Sequence, residues 1–456
     1  MTTRGLSRRS FLRACAAGAT GTTAATAFST VSTVIGGALP GCGRRDLDRP
    51  NVILILADDL GYECLGCNGG TSYRTPVLDA LAATGLRFTN AYCTPLCTPS
   101  RVQLMSGQYP HRTGWITNLG ELPRPQRYVD PKLIDLAILF KRAGYATAVA
   151  GKWQMADFAQ HPDHATRAGF DEHCLWTYDY KGVRESYRRY WRPAIWRNGR
   201  LDRDALRDHV YGPDVFADFL VDFVERNRRL PFFAYYPMVL PHRPFLYTPD
   251  TKPPAGQEEK AERDPAARFA EMVAYLDQLV GRLVHSLDAL GLREQTLVLF
   301  TSDNGTPAEI TSWMGDVAVP GGKGQLTRAG ARVPLIANWP GTTPAGVVSE
   351  GLTDSTDFRA SFAELTGAGF SPGRRLDGHS LVPTFRGAGP SQRTWVYIQM
   401  REKRAVRDRR WKLFADGRLF DTLNDPLEQS PIGPGEGGAG VQGARARLEA
   451  VLADLG

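Results

Sequence analysis

The sequence is poor in cysteine, with 7 among 456 residues, and what is missing around these residues excludes one kind of site. Cys64 and Cys67 have the spacing of a redox pair or of half a zinc site. The chain lacks the second cysteine pair or nearby His-x-His motif that would complete a zinc cluster. We therefore expect the cysteines outside the special motifs below, including Cys93 and Cys174, to be buried thiols or to form a local disulfide.

Acidic residues are absent from the first 42 positions, which contain four arginines. Residues 7–13 read Ser-Arg-Arg-Ser-Phe-Leu-Arg, a twin-arginine signature, and residues 14–43 are an uncharged run dominated by Ala, Gly, Thr and Ser. Residues 1–43 are therefore predicted to be a leader for the twin-arginine export machinery. The mature protein is then expected in the periplasm.

Large aliphatic residues are scarce in that uncharged run, which bears on whether it stays in a membrane. The run is long enough to cross a bilayer and to remain as an anchor, but Ala, Gly and Thr gain little from leaving water. Residues 39–42, Leu-Pro-Gly-Cys, resemble a lipobox, in which Cys42 would carry a lipid anchor. Pro40 is unusual in such a motif, so lipidation and simple cleavage both stay open.

The basic excess is small once the leader is set apart. The formal net charge is +7, and the four leader arginines supply four of these charges, which leaves +3. A nucleic-acid partner is therefore not expected. With 456 residues, of which 42% are hydrophobic, the chain can bury one large core and a smaller appended unit.

Aliphatic runs alternate with helical patterns through most of the chain. Residues 51–56 form a continuous aliphatic run, which is typical of a strand covered on both faces. Further strands are predicted at 145–150, 231–236, 296–301 and 333–338, and helices at 133–142 and 268–290. This alternation predicts an α/β catalytic domain over residues 46–390, with a large, mostly parallel sheet flanked by helices.

The pattern changes from about Thr394 to short strand-like segments. These lie at 395–400, 403–407, 410–414 and 419–420 and predict an antiparallel meander. Residues 391–456 are therefore predicted to form a smaller C-terminal α+β subdomain. Within it, the glycine-rich residues 431–443 are predicted to be a flexible loop that precedes a short terminal helix.

Two acidic motifs directly follow predicted strands. Asp58 and Asp59 come after the first strand, and Asp303 and Asn304 come after the strand at 296–301. Ligands of open α/β sheets bind beyond the carboxyl ends of the strands. The first motif alone would be a solvated turn, but the pair indicates a shared ion. Oxygen ligands alone select Ca²⁺ or Mg²⁺ over zinc.

Residues 97–101, Cys-Thr-Pro-Ser-Arg, match the pattern Cys-x-Pro-x-Arg of type I sulfatases. Other motifs of that family follow in its order: Gly-Lys-Trp at 151–153, Pro-His at 241–242, Ser-Asp-Asn-Gly at 302–305 and Gly-Lys-Gly at 322–324. The chain thus resembles the formylglycine-dependent sulfatases of the alkaline phosphatase-like superfamily, along almost its whole length.

This resemblance implies a reaction and a set of site residues. A formylglycine-generating enzyme would oxidise Cys97 to formylglycine, whose hydrate is the nucleophile. The implied catalytic residues are Cys97, Arg101, Lys152, His242 and Lys323, the implied sulfate-binding residues are Lys152, His242, Lys323 and Gln154, and the implied metal ligands are Asp58, Asp59, Asp303 and Asn304. The family commonly uses calcium, with magnesium as the alternative.

Proline in the motif also predicts where the nucleophile lies. Pro99 fits the first turn of a helix, where its missing N–H costs nothing. Cys97 is therefore expected at a helix N-terminus, whose free N–H groups favour an anion. Arg101, one turn further, would point back and hold the aldehyde hydrate.

The sequence departs from the family pattern at two positions. The family usually continues Gly-Lys-Trp-His, but Gln154 replaces the histidine that is often assigned to deprotonating the hydrate. Glutamine cannot take that proton, so another base, with His242 as a candidate, or slow turnover is expected. Arg328 occupies a position often held by glutamate, which would alter loop pairing or add a contact to an anionic substrate.

Residues 176–200 mix aromatic and basic side chains. Aromatic rings stack on sugars and arginines pair with sulfate, so this segment is a candidate subsite for a sulfated glycan, with Arg188 and Arg189 as test residues. A hairpin around Asn198 and Gly199, packed on the domain, is an equal interpretation.

The function implied by the resemblance is that of an exported, arylsulfatase-like hydrolase of sulfate monoesters on a sulfated small molecule or glycan. One alternative is a phosphonate or phosphate ester hydrolase of the same superfamily. Another is a non-catalytic protein that only captures sulfated glycans, although the retained Cys97, Asp303 and Lys323 argue against it.

Overall fold

A computed structural model describes residues 49–121, 128–177, 188–251, 264–369 and 375–455. The predicted leader with Cys42 lies outside the described residues, as do Tyr178, Tyr180, Lys181, Arg184 and Tyr187 of the aromatic and basic segment. Among the described residues, no helix combines the length and the apolar character needed to cross a bilayer.

Sixteen strands and eleven α-helices are formed by the described residues. The strands are β1 Asn51–Ala57, β2 Leu86–Tyr92, β3 Ala146–Lys152, β4 Glu172–Trp176, β5 Ile195–Arg197, β6 Arg200–Asp202, β7 Phe232–Pro237, β8 Thr296–Ser302, β9 Thr311–Met314, β10 Val317–Pro320, β11 Arg332–Asn338, β12 Val347–Asp354, β13 Val396–Met400, β14 Lys403–Arg407, β15 Trp411–Phe414 and β16 Leu419–Asp421. The helices are α1 Pro76–Ala83, α2 Cys97–Ser106, α3 Pro110–Thr113, α4 Leu136–Arg142, α5 His164–Arg167, α6 Gly212–Arg226, α7 Pro265–Ala289, α8 Arg328–Ala331, α9 Asp357–Thr366, α10 Val382–Phe385 and α11 Ala439–Asp454.

One large sheet of ten strands forms the centre of the α/β fold. Its strand order is β12-β2-β11-β8-β1-β7-β3-β4-β5-β6. The five neighbours β8, β1, β7, β3 and β4 all run parallel, as the sequence predicts. The predicted strand at 333–338 is present as β11 but runs antiparallel to both of its neighbours, β2 and β8. The aliphatic residues of this strand indicate that it is buried, but they do not indicate its direction, because parallel and antiparallel strands both bury such residues when the sheet is covered on both faces.

Helices cover both faces of this sheet. Alternate residues of β1 enter two separate cores: Ile53 and Ile55 face one, and Val52, Leu54 and Leu56 face the other. Helices α1, α6 and α7 pack on the first face, and α2, α4 and α9 on the second. Burial on both sides explains why the strand is aliphatic at every position from Val52 to Ala57 rather than at every second one.

The C-terminal strands form the predicted antiparallel meander, in the order β13-β14-β15-β16. Val396, Ile398 and Ala405 pack against Tyr92 and Leu352 of the large sheet. The predicted loop at 431–443 is wrong over its last residues, because α11 begins at Ala439 and is 16 residues long. Leu448 of that helix is buried against the meander, so tertiary packing outweighs the helix-breaking glycines. The division into two domains at residue 391 remains a prediction.

The structure also decides between the alternatives for the hairpin around Asn198 and for the cysteines. Strands β5 and β6 pair antiparallel around Asn198 and Gly199, which have φ values of 45° and 85°, so the hairpin interpretation holds for that part of the segment. The cysteines Cys64, Cys67, Cys93, Cys97 and Cys174 are all free thiols. Of the two alternatives for the cysteines, the structure therefore has the thiols and not a local disulfide.

Candidate active site

The carboxyl ends of five adjacent parallel strands bring the predicted residues to one edge of the sheet. Ala57 and Ser302, the last residues of β1 and β8, are paired in register, so Asp58 and Asp303 follow side by side. His242 follows β7 on the other side of β1. Lys152 ends β3, and its partner in register, Trp176, ends β4.

The two acidic motifs contact each other directly. The backbone N–H of Asp59 donates to Asp303 Oδ1 at 3.2 Å, and Asn304 Nδ2 donates to Asp59 Oδ1 at 2.7 Å. Asp59 has a φ of 71°, in the left-handed region that few side chains adopt. All four residues, including Asp58, are buried. The structure thus gathers the four predicted metal ligands at one point.

Three cationic side chains balance these carboxylates. Lys152 Nζ lies 2.7 and 2.8 Å from the two oxygens of Asp58, and Lys323 Nζ lies 2.6 Å from Asp59. Arg101 donates from Nε and Nη2 to Asp303 Oδ2, at 3.0 and 2.7 Å, and from Nη1 to the carbonyl oxygen of Lys152 at 2.6 Å. These contacts join residues that lie far apart in the sequence into one buried network.

Burial and these cations act on the carboxyl groups in opposite directions. Burial raises the pKa of Asp58 to about 6, against the lowering effect of Lys152. Burial alone would also raise the pKa of Asp303, but Arg101 and the two lysines lower it below its usual value. Keeping buried carboxylates ionised therefore depends on nearby positive charge.

Cys97 begins helix α2, as the proline predicts. Leu96 is the N-cap residue, and Pro99 lies in the first turn. The Cys97 sulfur is buried and lies 3.4 Å from Asn304 Oδ1, 3.7 Å from Asp58 Oδ1 and 3.9 Å from Asp59 Oδ1. Burial, with a contribution from Asp303, raises the pKa of the thiol to about 12. An unmodified Cys97 is therefore a protonated thiol at neutral pH and a poor nucleophile.

Glycines let the two lysine segments approach the site closely. Gly151 has a φ of 123°, and a Cβ there would clash with the carbonyl oxygen of Pro237. A Cβ on Gly322 would lie 2.6 Å from the backbone nitrogen of Gly330. The Gly-Lys motifs thus have a steric reason, because a larger residue would push Lys152 or Lys323 away from the carboxylates.

His242 lies at the mouth of the site, with 16% of its side chain exposed. Its Nε2 is 3.7 Å from Asp59 Oδ2, and its Nδ1 is near both Arg189 Nη1, at 3.0 Å, and the carbonyl oxygen of Arg243, at 2.6 Å. Burial, followed by the charges of Arg189 and Lys152, lowers the pKa of His242 well below its usual value. The imidazole is therefore neutral at physiological pH.

Gln154 is half-buried and has a φ of 54°. Its backbone carbonyl accepts a hydrogen bond from Thr98 Oγ1 at 3.4 Å, which ties it to the helix of Cys97. Its Oε1 is buried and has no hydrogen-bond partner among the described residues. The side chain thus has an unused acceptor and is free to bind a ligand, although it cannot act as a base.

Two neighbouring features explain residues that sequence reasoning had left open. Arg328 donates from its backbone N–H to Glu428 Oε1 at 3.0 Å and from its side-chain Nη1 to the carbonyl oxygen of Thr422 at 3.5 Å, so this departure belongs to pairing between the Lys323 loop and the C-terminal segment. The side chain of Arg189 extends to the acidic cluster, 3.8 Å from Asp58 Oδ2. In the sequence, only the aromatic and basic composition of residues 176–200 pointed to Arg189, and that composition does not distinguish Arg189 from the other arginines of the segment.

The donor set fits a hard divalent cation. Ligand atoms of Asp58, Asp59, Cys97 and His242 all lie within 4.8 Å of one another. Asp303 and the amide oxygen of Asn304 adjoin the same point through the contacts given above. Lysine and arginine side chains already contact the three buried carboxylates, so it is the type of donor that favours an ion: carboxylate and amide oxygens are the ligands that calcium and magnesium prefer.

Comparison with known proteins decides the family. The family model described as Sulfatase matches residues 50–368. The chain belongs to the sulfatase family. This sulfatase is 33% identical to human arylsulfatase A over 406 residues, which cover 83% of the chain and 77% of the relative. It is 32% identical to human N-acetylgalactosamine-6-sulfatase over 362 residues, which cover 74% of the chain and 65% of the relative. The sulfatase is thus a sulfuric ester hydrolase, and the non-catalytic alternative is not supported.

Solved structures agree with this assignment. The crystal structure of Ps i-CgsB superposes with a TM-score of 0.73 at 29% identity and covers 89% of this chain and 92% of that one. A second structure of that protein, in complex with k-i-k-neocarrahexaose, has a TM-score of 0.73 at 28% identity, with the same shares covered. The phosphonate monoester hydrolase of Agrobacterium radiobacter shares the fold, with a TM-score of 0.65 at 22% identity over 89% of this chain and 95% of that one.

Proposed function

We propose that this sulfatase hydrolyses a sulfate monoester of a carbohydrate, with formylglycine made from Cys97 as its nucleophile and calcium as its ion. The observation that carries the proposal is the position of the Cys97 sulfur, 3.4 Å from Asn304 Oδ1 and 3.7 Å from Asp58 Oδ1. An attacking group at that position would adjoin both the bound ion and the cations that attract a sulfate. Magnesium is the alternative ion.

The cations of the pocket would bind the sulfuryl oxygens. A sulfate ester repels an incoming nucleophile, so the pocket must supply positive charge on several sides. Lys152 and Lys323 now pair with Asp58 and Asp59, and an ion on those carboxylates would release both ammonium groups to the substrate. When bound, the ion would supply Lewis-acid polarisation of a sulfuryl oxygen. Arg101, fully buried, would keep Asp303 ionised and hold position 97.

The reaction needs a nucleophile that can be regenerated. A formylglycine hydrate carries two hydroxyl groups on one carbon, so one can displace the alcohol at sulfur and the other can lose its proton to re-form the carbonyl and expel sulfate. His242, a neutral imidazole whose Nε2 faces the acidic cluster, is placed to accept the proton of the attacking hydroxyl and to pass it to the departing ester oxygen, which restores the neutral ring. Gln154 cannot remove the proton of the second hydroxyl, which makes His242 the candidate base for that step as well.

A carbohydrate substrate is supported by the relatives. Human N-acetylgalactosamine-6-sulfatase is named for a sulfated sugar, and the protein 28% identical to this one was solved with a carrageenan oligosaccharide. In this chain, Trp176 and Trp191 are buried in a hydrophobic core, so their rings are not available to stack on a sugar, and the carbohydrate part of the proposal rests on the relatives.

The test has a chemical and a kinetic part. Mass spectrometry of the peptide that contains position 97 should show conversion of the thiol to an aldehyde, and Cys97→Ala should abolish turnover of 4-nitrophenyl sulfate. Purified enzyme should then be assayed side by side on 4-nitrophenyl sulfate, on an aryl phosphonate and on a panel of sulfated oligosaccharides. A higher kcat/KM on the phosphonate than on every sulfate would replace this proposal with the phosphonate hydrolase alternative.

We also propose export by the twin-arginine route to the periplasm, on the basis of residues 7–13. Replacing Arg8 and Arg9 together by lysine should leave the protein in the cytoplasmic fraction, while Arg4→Lys serves as the control. Labelling with radioactive palmitate, compared between the wild type and Cys42→Ala, decides whether the protein carries a lipid. Equal export of the wild type and the double variant would refute the route.

A further inference from the structure

Arg189 places a fourth cation beside the acidic cluster. Its Nη1 lies 3.8 Å from Asp58 Oδ2 and 3.0 Å from His242 Nδ1, and 11% of its side chain is exposed. None of the family motifs in the sequence includes this residue. Its position in the site therefore calls for an explanation of its own.

Aromatic contacts fix the position of Arg189. Its guanidinium lies over the ring of Trp176, 4.1 Å from the centroid, and Trp176 is the partner in register of Lys152 at the sheet edge. The next residue, Tyr190, donates its hydroxyl to the carbonyl oxygens of Val239, at 2.8 Å, and of His242. The segment of Arg189 and the loop of His242 are thus held together, so the guanidinium stays at the pocket.

The hydrogen-bonding capacity of Arg189 is only partly used. Its Nε is buried and has no partner among the described residues. Its carboxylate neighbour, Asp58, is already bonded to Lys152 at 2.7 and 2.8 Å, so the 3.8 Å contact is not a close ion pair. Arginine normally meets a carboxylate through two short parallel hydrogen bonds. Arg189 thus keeps donors that a ligand anion can use.

The charge of the pocket also points to an anion. Leaving His242 aside, three carboxylates face four basic side chains: Asp58, Asp59 and Asp303 against Arg101, Lys152, Lys323 and Arg189. The net charge is +1, and a divalent ion would raise it to +3. A sulfate ester carries one negative charge and released sulfate carries two, so Arg189 adds the charge that keeps the loaded pocket positive throughout the reaction.

We propose that Arg189 is a further substrate-binding residue, whose guanidinium donates to the sulfuryl oxygens on the side of the pocket formed by His242 and Trp176. This inference rests on the proposed sulfatase function. The planar fork of N–H groups matches two oxygens of a sulfate, which a lysine ammonium cannot match in the same way. Arg189 thus supplies a positive charge at this side of the site.

The test measures binding of inorganic sulfate by calorimetry, and the KM and kcat for 4-nitrophenyl sulfate, in wild type, Arg189→Met and Arg189→Lys. Arg189→Met should weaken sulfate binding and raise KM by about 10- to 100-fold, as expected for lost hydrogen bonds to a charged group, with a smaller change in kcat. Arg189→Lys should recover part of the loss. Arg192→Met, in the same segment and paired at the surface with Asp208, is the matched control.

The remaining outcomes also decide the matter. Unchanged sulfate affinity in Arg189→Met together with a lower melting temperature would show that Arg189 only supports the fold, and the inference would be overturned. If the wild type binds sulfate but hydrolyses no sulfate ester, the proposed function fails, while loss of sulfate binding in Arg189→Met alone still supports the binding role. A wild type that binds no sulfate refutes the inference directly.

Discussion

The buried ion pair between Lys412 and Glu428 connects the C-terminal meander to the loop of Lys323. Lys412 Nζ lies 3.0 and 2.9 Å from the two oxygens of Glu428 and also donates to the carbonyl oxygen of Leu326. Glu428 Oε1 accepts the backbone N–H of Arg328 at 3.0 Å. Both charged side chains are almost completely buried. The pair thus holds residues 326 and 328, which lie three and five positions after Lys323.

Removing one charge of this pair should cost more than removing both. Burial lowers the pKa of Lys412, against the raising effect of Glu428, so the ammonium depends on its partner. Breaking a buried pair by losing one member costs about 3–5 kcal/mol, because it leaves an uncompensated buried charge. We therefore expect Glu428→Gln to destabilise the protein by about 3 kcal/mol. The double variant Lys412→Met/Glu428→Leu should lie within about 2 kcal/mol of the wild type.

Thermal unfolding gives the measurement. At about 2.1 cal/mol/K per residue and about 400 folded residues, the entropy of unfolding is roughly 0.8 kcal/mol/K, so 3 kcal/mol corresponds to a drop of about 3–4 °C in Tm. KM for 4-nitrophenyl sulfate should rise in Glu428→Gln, because the Lys323 loop loses its support. Glu402→Gln, an exposed position on the same meander, is the control and should change neither quantity. The reasoning is refuted if Glu428→Gln has the same Tm as the wild type, or if the double variant is less stable than Glu428→Gln.

Three further predictions concern the backbone, pH and the ion. Gly151→Ala should lower stability by at least about 2 kcal/mol in chemical denaturation, because its φ of 123° and the carbonyl of Pro237 exclude a Cβ; an unchanged midpoint would contradict this. His164, buried, has its pKa lowered to about 4 by burial, and its Nδ1 accepts a hydrogen bond from Trp153 at 3.0 Å. The folded protein favours the neutral imidazole, so protonation of His164 at low pH is destabilising. The free energy of unfolding should therefore fall by about 3 kcal/mol as pH drops from 6.5 to 4, and by less in His164→Gln. Equal pH profiles of Tm in the two proteins would exclude His164 as the cause. Calcium at 100 times its Kd should stabilise EDTA-treated enzyme by about 2.7 kcal/mol, seen as a rise in Tm, and Asp59→Asn should abolish the rise; an equal response in both proteins would place the ion elsewhere.

Much of this architecture could be predicted because its signals are local in the sequence. The aliphatic run at 51–56 is buried on both sides whatever its neighbours are, so β1 was predictable from composition. Pro99 restricts its own backbone, so the helix start at Cys97 followed from one residue. Parallel strands end at one edge, which brings Asp58 and Asp303 together once both are assigned to strand ends.

Other features depend on contacts that no local pattern contains. The direction of β11 depends on which strands it lies between, and α11 extends into a glycine-rich segment because Leu448 finds an apolar surface on the meander. The buried pair of Lys412 and Glu428 joins residues whose types alone suggest solvated surface.

By itself the sequence determined the family and the presence of strands β1, β3, β7, β8 and β11, and it named the candidate site residues, because motifs and hydrophobic runs are properties of neighbouring residues. Only the tertiary structure decided that Arg189, and not Arg192 three positions later, reaches Asp58. The two arginines are chemically the same in the sequence. Their difference comes from the stacking of Arg189 on Trp176 and from the bonds of Tyr190 to the His242 loop, which direct one guanidinium inward.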